Sequence, residues 1–202
     1  MALGTVIRSF PIDADSSGLD WDGRALWNNT PPPLKQISPQ TGADIRLIAS
    51  PFVNGLVWDG RFLWISNDPT NTIQKFDPVR GVVVRTFASP DTQPQGLAWD
   101  GRSLWSVGFS TGRIYEIDPT AGTTLSSFPT PAGNPRALAW DGKSFWHTDS
   151  VTSLIYQLSP QNGRVIASVL GPEALMLGMV IDGRTLWIAG RATSLIYQIA
   201  VN

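Results

Sequence analysis

The stretch Pro94-Gln-Gly-Leu-Ala-Trp-Asp-Gly-Arg-Ser-Leu-Trp105, continued by Ile114-Tyr-Glu-Ile-Asp-Pro-Thr-Ala-Gly122, decides the fold. Gly96 to Trp99 reads as a short strand a, and Asp100-Gly101 as a turn. Ser103 to Val107 reads as strand b, and Phe109 to Gly112 as a second turn. Arg113 to Asp118 is strand c, Pro119 to Gly122 a third turn, and Thr123 to Phe128 strand d. Gly supplies the positive φ that tight turns demand, and short apolar runs between such turns are strands.

The same pattern recurs along the chain. Its anchors are Trp21-Asp22-Gly23, Trp58-Asp59-Gly60, Trp99-Asp100-Gly101, Trp140-Asp141-Gly142 and Ile181-Asp182-Gly183, at spacings of 37, 41, 41 and 41 residues. Six residues after each anchor stands a second Trp: Trp27, Trp64, Trp105, Trp146 and Trp187. These two columns hold all nine Trp, and Tyr115, Tyr156 and Tyr197 share a third. A fixed period near 41 outranks any local propensity. Four short antiparallel strands per period make one blade of a β-propeller.

The ends complete the count. The 20 residues before Trp21 and the 22 from Ile181 onward sum to one further repeat with a spare Met. The expected architecture is all-β: one domain over residues 1–202, a five-bladed propeller whose first repeat is four residues short. Thr5 to Phe10 should act as strand d and pair with Leu195 to Ile199, closing the ring and covering an exposed edge. If Asp-Gly makes a two-residue turn, the two Trp of a repeat point to opposite faces; a bulge that adds a residue would put them on one face, and both remain open.

Composition excludes several chemistries. The chain has 202 residues, no Cys and one His, so disulfides, thiolate metal sites and cysteine nucleophiles are out. Lys and Arg number 15 against 16 Asp and Glu, which argues against electrostatic nucleic-acid binding. No apolar run reaches the roughly 20 residues of a membrane helix, and Met1 to Phe10 lacks the layout of a signal peptide. A soluble monomer is expected. Asn28-Asn29-Thr30 fits the glycosylation pattern, which carries little weight without a secretory signal.

The repeats resemble those of glutaminyl cyclotransferases and virginiamycin B lyase-like proteins, within the NHL, YVTN and SMP-30-like group of propellers. The resemblance rests on the blade quoted above and extends over all five repeats. Plant-type glutaminyl cyclotransferases have five blades, which agrees with the count here. The cyclotransferase resemblance implies a catalytic Glu just before the Gly that opens strand a. The matching column holds Ser17, Asn54, Gln95, Arg136 and Leu177, so no acid carries over. The lyase resemblance implies His and Glu around a bound metal. Here the only His is His147, and the only Glu are Glu116 and Glu173.

One-off chemistry belongs on the ring face formed by the d–a and b–c loops, where the repeats differ. Asn54, Gln95 and Arg136 could orient a small polar or anionic ligand over the channel. Phe52, Val53, Phe109, Leu175, Met176 and Leu177 are apolar loop residues suited to a pocket or a partner surface. His147 and Asp149 lie two apart on strand b, the spacing of a general-base pair, and Asn67 occupies the Asp149 column. A hydrogen-bonded structural His is the competing reading. The other face repeats Asp22, Asp59, Asp100, Asp141 and Asp182 beside Arg24, Arg61, Arg102, Lys143 and Arg184. Turn chemistry and solvated pairs explain that ring better than an anion site does.

No cofactor is required. The one metal reading is calcium at Asp13, Asp15 and Ser17, because Asp13-Ala-Asp15-Ser-Ser17-Gly18 matches the first half of a calcium loop. The twelfth position would be Arg24, where a bidentate acid belongs. The expected function is a non-catalytic binding module or scaffold with a small-molecule or protein ligand at the channel mouth. The alternative is a cyclotransferase-like enzyme with a diverged active site.

Overall fold

The structure is a computed structural model describing residues 1–29, 33–51 and 54–201. Thr30, Pro31, Pro32, Phe52, Val53 and Asn202 lie outside the described residues.

The described residues form five antiparallel four-stranded sheets. The first blade comprises β2 (Gly18–Trp21), β3 (Leu26–Asn29), β4 (Leu34–Ile37) and β5 (Asp44–Ile48). The second comprises β6 (Leu56–Trp58), β7 (Leu63–Asn67), β8 (Thr72–Asp77) and β9 (Val82–Ala88). The third comprises β10 (Pro94–Trp99), β11 (Leu104–Gly108), β12 (Arg113–Ile117) and β13 (Thr124–Pro129). The fourth comprises β14 (Pro135–Trp140), β15 (Phe145–Asp149), β16 (Leu154–Leu158) and β17 (Val165–Leu170). The fifth joins β18 (Met176–Ile181), β19 (Thr185–Gly190) and β20 (Leu195–Ala200) to β1 (Val6–Pro11). The register runs from Val6 opposite Ile199 to Pro11 opposite Leu195, so the ends of the chain close the ring as expected.

The Trp-Asp-Gly turns are four residues long, not the two of a tight hairpin. In the third blade Trp99 pairs with Leu104, and the Asp100 N–H bonds the Ser103 carbonyl. The even count puts Trp99 and Trp105 on opposite faces of the sheet. The turn glycines Gly23, Gly60, Gly101, Gly142 and Gly183 have φ between +91° and +96°, and nothing lies within 4 Å of a Cβ built there. Backbone conformation, not crowding, therefore demands Gly at these positions.

Each Asp carboxylate organises its turn. In the third blade, Asp100 Oδ1 accepts the N–H groups of Arg102 (2.8 Å) and Ser103 (2.6 Å), and Oδ2 accepts the Trp105 indole N–H (2.8 Å). The other four blades repeat all three bonds at Asp22, Asp59, Asp141 and Asp182. Strand c often adds another partner. Gln36 and Lys75 reach Asp22 and Asp59 directly, while Gln157 and Gln198 reach Asp141 and Asp182 through the Ser144 and Thr185 hydroxyls. Burial works to raise the Asp182 carboxyl, but these donors outweigh it and hold it below its ordinary value. The acidic column is thus turn chemistry.

Apolar packing sits between blades. Five buried clusters each draw on two adjacent blades. The cluster between the first and second blades, for example, combines Trp27, Leu34 and Ile48 with Leu56, Leu63, Ile65 and Phe76. Trp27 also stacks on Trp58 of the next blade, with centroids 6.2 Å apart. Each interface takes the strand-b Trp of one blade and the strand-a anchor of the next, which is why the two must face opposite ways. The inner strands a and b of each blade are buried on both faces, whereas the outer strand d is largely exposed, so the burial that the low charge of the sequence suggested stops short of the rim.

Removing residues 1–11 should unzip β1 from β20, expose a strand edge and strip Phe10 from Trp187, which it meets at 6.0 Å. We expect a large fall in melting temperature with aggregation, read by circular dichroism and light scattering. A truncated protein with an unchanged melt would show that closure contributes nothing.

Candidate functional site

The axis of the ring has two mouths separated by a waist. Gly18, Gly55, Gly96, Ala137 and Gly178 bring the innermost strands together there, leaving a cavity of only about 10 Å³. A Cβ on Gly55 would collide with the Gln95 carbonyl oxygen, and one on Gly96 would lie 2.6 Å from the Leu138 nitrogen. At Gly55, Gly96 and Gly178 neighbouring backbones occupy the side-chain space, Gly18 is crowded by the Asn29 and Leu56 side chains, and the fourth blade accommodates Ala137. It is tied by strand-b hydroxyls. Ser66 accepts the Gly55 N–H at 2.7 Å and donates to the Gln95 carbonyl at 2.6 Å; Thr148 links Ala137 to the Met176 carbonyl.

Above the waist lies the d–a and b–c loop face. Arg136 projects from β14 with its guanidinium 4.6 Å above the Phe109 ring, and its Nε donates to the Ser150 hydroxyl at 3.3 Å. Burial, then the nearby Arg191 charge, pull its pKa below the ordinary value, against the opposing charges of Asp149 and Asp68. Among the described residues no carboxylate lies at ion-pair distance from it. Asn54 sits in the same column and donates to the Pro94 carbonyl at 3.2 Å; the Gln95 backbone carbonyl is held by Ser66. The structure therefore brings Arg136 and Phe109 into direct contact. Leu175 is exposed beside this face, whereas Met176 is buried between the fourth and fifth blades. Met176 begins strand a there, so it is core, not pocket lining.

His147 and Asp149 do not form a hydrogen-bonded pair. His147 is fully buried, its Nδ1 lies 3.0 Å from the Ala137 carbonyl oxygen, and its Nε2 has no partner. Burial pushes it down to about 4, so it is neutral at pH 7, with Nδ1–H donating to that carbonyl. Asp149 caps the next loop. It accepts the N–H groups of Asn134 (2.7 Å), Val151 (3.0 Å) and Thr152 (3.0 Å). Burial tends to raise its carboxyl, but those donors win and hold it low.

The Asp149 cap belongs to a repeated device that sequence reading missed. In the third blade Asp91 accepts the N–H and hydroxyl of Thr111, which meets the Tyr115 hydroxyl at 2.8 Å. In the fourth, Asp149, Thr152 and Tyr156 do the same. In the fifth, Glu173, Thr193 and Tyr197 follow suit. Where strand b ends in Gly108 or Gly190, the acid comes from the preceding loop, and a Cβ on either glycine would strike it. Where strand b ends in Asp149, that residue supplies the acid itself. Asn67 plays the part in the second blade, accepting the Thr70 N–H at 3.2 Å above the short 3₁₀ turn Asp68–Thr70. The Gly/Asp alternation of this column, together with the Tyr column, was the available signal.

The candidate calcium residues are drawn into other contacts. Asp13 forms an ion pair with Lys35, which also meets Asp44 at 3.0 Å. Asp15 pairs with Arg191 at 2.7 Å, and the Ser17 hydroxyl accepts from Asn29 at 2.9 Å. Each acid therefore already faces a cation. Among the described residues no group of three or more acidic or His side chains is arranged to hold a metal ion.

Below the waist, on the side of the Trp-Asp-Gly turns, lies a second cavity of about 150 Å³. Asp20 lines it with Trp21, Trp58, Trp99 and Trp140. Asp20 is only 7% exposed, and its Oδ2 accepts the Trp58 N–H of the adjacent blade. Burial pushes its carboxyl up to about 8; the Trp58 and Trp21 amides oppose the shift and the Asp22 charge adds to it. Its column reads Asp20, Val57, Ala98, Ala139 and Val180, so the sequence carries one acid among four small apolar residues at this position.

With this geometry in view, solved structures supply comparisons. The crystal structure of Myxococcus xanthus glutaminyl cyclase superposes with a TM-score of 0.81 at 16% identity, covering 96% of this chain and 94% of that one. Virginiamycin B lyase from Staphylococcus aureus gives a TM-score of 0.59 at 19% identity, covering 93% of this chain and 66% of that one. A mitotic checkpoint complex chain gives a TM-score of 0.59 at 17% identity, covering 91% and 60%. No protein-family model and no curated protein matches the chain. At these identities the likeness establishes a shared fold, and fold alone does not assign chemistry. No helix among the described residues is long and apolar enough to cross a membrane.

Asp20 and His147 together shape the pH dependence of stability. From about pH 4 to 6.5 the folded chain holds an Asp20 proton that the unfolded chain has lost, and lacks a His147 proton that the unfolded chain binds. The two proton differences cancel, so stability from this pair is flat there. From about 6.5 to 8 only the Asp20 difference remains, and stability falls by about 1.4 kcal/mol per pH unit. In Asp20→Asn the profile should instead rise from pH 4 to 6.5 and then level off. Urea titrations across pH 4–9 check this; profiles of the same shape in both proteins would contradict it.

Proposed function

We propose that this propeller is a binding module whose upper mouth takes a small polar or anionic ligand over the waist. The observation that carries the reading is Arg136. It is half-buried, stacked on Phe109, and without a carboxylate at ion-pair distance among the described residues. A planar guanidinium fixed in this way is prepared for bidentate contact with a carboxylate or similar group. Asn54 and Gln95, in the same column, add amide donors and acceptors near the axis. The waist beneath them leaves no passage, so a ligand would rest on this mouth and not thread the ring.

A cyclotransferase-like activity is the second reading, favoured by the close overlay on glutaminyl cyclase. Against it stands the column Ser17, Asn54, Gln95, Arg136 and Leu177, which has no Glu where the family resemblance places one. The buried His147 bonds backbone and the Asp149 carboxylate caps a loop, so neither is offered as a base.

Titration with acetate, succinate and citrate, read by calorimetry and thermal shift, tests the binding reading. We expect saturable binding of at least one, weakened tenfold or more in Arg136→Ala and several-fold in Asn54→Ala, with little change in the unliganded melt. No binding of any carboxylate, or equal affinity in Arg136→Ala, would remove it. Turnover of an N-terminal glutaminyl peptide above background, lost in Arg136→Ala, would favour the enzyme reading instead.

A further inference from the structure

We propose that the lower mouth of the channel is a separate binding site for a small organic ammonium ion, with Asp20 as its counter-charge and the strand-a tryptophans as its walls. In the other blades the Asp20 position holds Val57, Ala98, Ala139 and Val180, so ring packing has no need of an acid there. Asp20 is buried, yet among the described residues no Lys, Arg or His lies at ion-pair distance from it. None of the exposed turn cations lines its cavity. A buried carboxylate without a cation is costly, and an entering cation would relieve that cost.

The surroundings select the kind of cation. Trp21, Trp58, Trp99 and Trp140 line the same space as Asp20, each being only partly covered by the inter-blade packing. Indole rings attract cations through their quadrupole and suit weakly hydrated alkylammonium groups above all. The Trp58 N–H holds one carboxylate oxygen, which keeps the charge fixed against the wall. A cavity of about 150 Å³ holds a ring of about six heavy atoms, so tetramethylammonium is within range. The waist closes the far end to about 10 Å³, leaving entry from the turn face. Binding requires the carboxylate form of Asp20. The other titratable group whose charge bears on it is Asp22, which is held by the Trp27 indole and the Gln36 amide.

The experiment uses the whole chain and two probes of similar size and shape: tetramethylammonium and the neutral tert-butanol. Calorimetry and tryptophan fluorescence at pH 8.5, with sodium chloride holding ionic strength constant, read the binding. We expect saturable millimolar binding of tetramethylammonium and at least tenfold weaker binding in both Asp20→Asn and Asp20→Val. The second variant copies the residue that two of the other blades use, and so protects the test against misfolding of the first. Tert-butanol should bind at least tenfold more weakly. In the unaltered protein, tetramethylammonium affinity should rise severalfold to tenfold per unit between pH 6 and 8. Absence of saturable binding, equal affinity in a folded Asp20 variant, equal binding of tert-butanol, or a flat pH profile would each overturn the proposal.

Discussion

The carboxylate in each Trp-Asp-Gly turn joins two levels of structure. One oxygen fixes the four-residue turn by accepting two backbone N–H groups, and the other fixes the strand-b indole. That indole belongs to the packing between blades. Turn geometry and inter-blade packing are thus set by the same charged group. Hydrogen bonds to a charged acceptor contribute more than neutral ones, and a buried indole N–H left without a partner is costly. Repetition of the device in all five blades lets a ring stand without a central core: its apolar clusters lie between blades, and the axis is pinched by glycine.

Regularity also explains where chemistry can reside. Wherever the five blades agree, the residue serves the fold, as with the turn Asp and the strand-b Trp. Candidate sites sit where one blade breaks the pattern. Arg136 breaks it at the upper mouth, in a column of neutral side chains, and Asp20 breaks it at the lower mouth, in a column of Val and Ala. The waist separates these two positions, so each can be occupied or altered without the other. Both are ionisable groups taken partly or wholly out of water, and their pKa values move accordingly.

Much of the fold was legible because the repeat is long-range information that local ambiguity cannot hide. Blade number, strand order and closure by Val6–Pro11 follow from the Trp spacing and from the complementary ends. The facing of the Trp pair was not legible, since it depends on whether the turn has an even count, and Asp-Gly alone suggests two residues where four are used. Site reading was less complete. His147 and Asp149 share the spacing of a base pair, but burial and backbone donors assign each to a separate structural task. Asp13 and Asp15 share calcium-loop spacing, but Lys35 and Arg191, distant in sequence, reach them first. Glu173 and Asp91 are loop acids with no local motif around them, and only the fold shows them as partners of Thr193 and Thr111. Asp20 is the one acid in its column, a signal the sequence holds, but its cavity requires three dimensions.

The Asp–indole bond is tested most directly by a double-mutant cycle on stability, combining Asp100→Ala, Trp105→Phe and the pair. The third blade suits the purpose because Trp105 Nε1 donates to Asp100 at 2.8 Å and no cation pairs with that Asp among the described residues. Cavity costs from the smaller ring cancel around the cycle, leaving the interaction itself. A coupling energy of about 1.5–3 kcal/mol is predicted for a charged acceptor holding a buried indole N–H. A value near zero would mean that turn and inter-blade packing are independent, and would contradict the account.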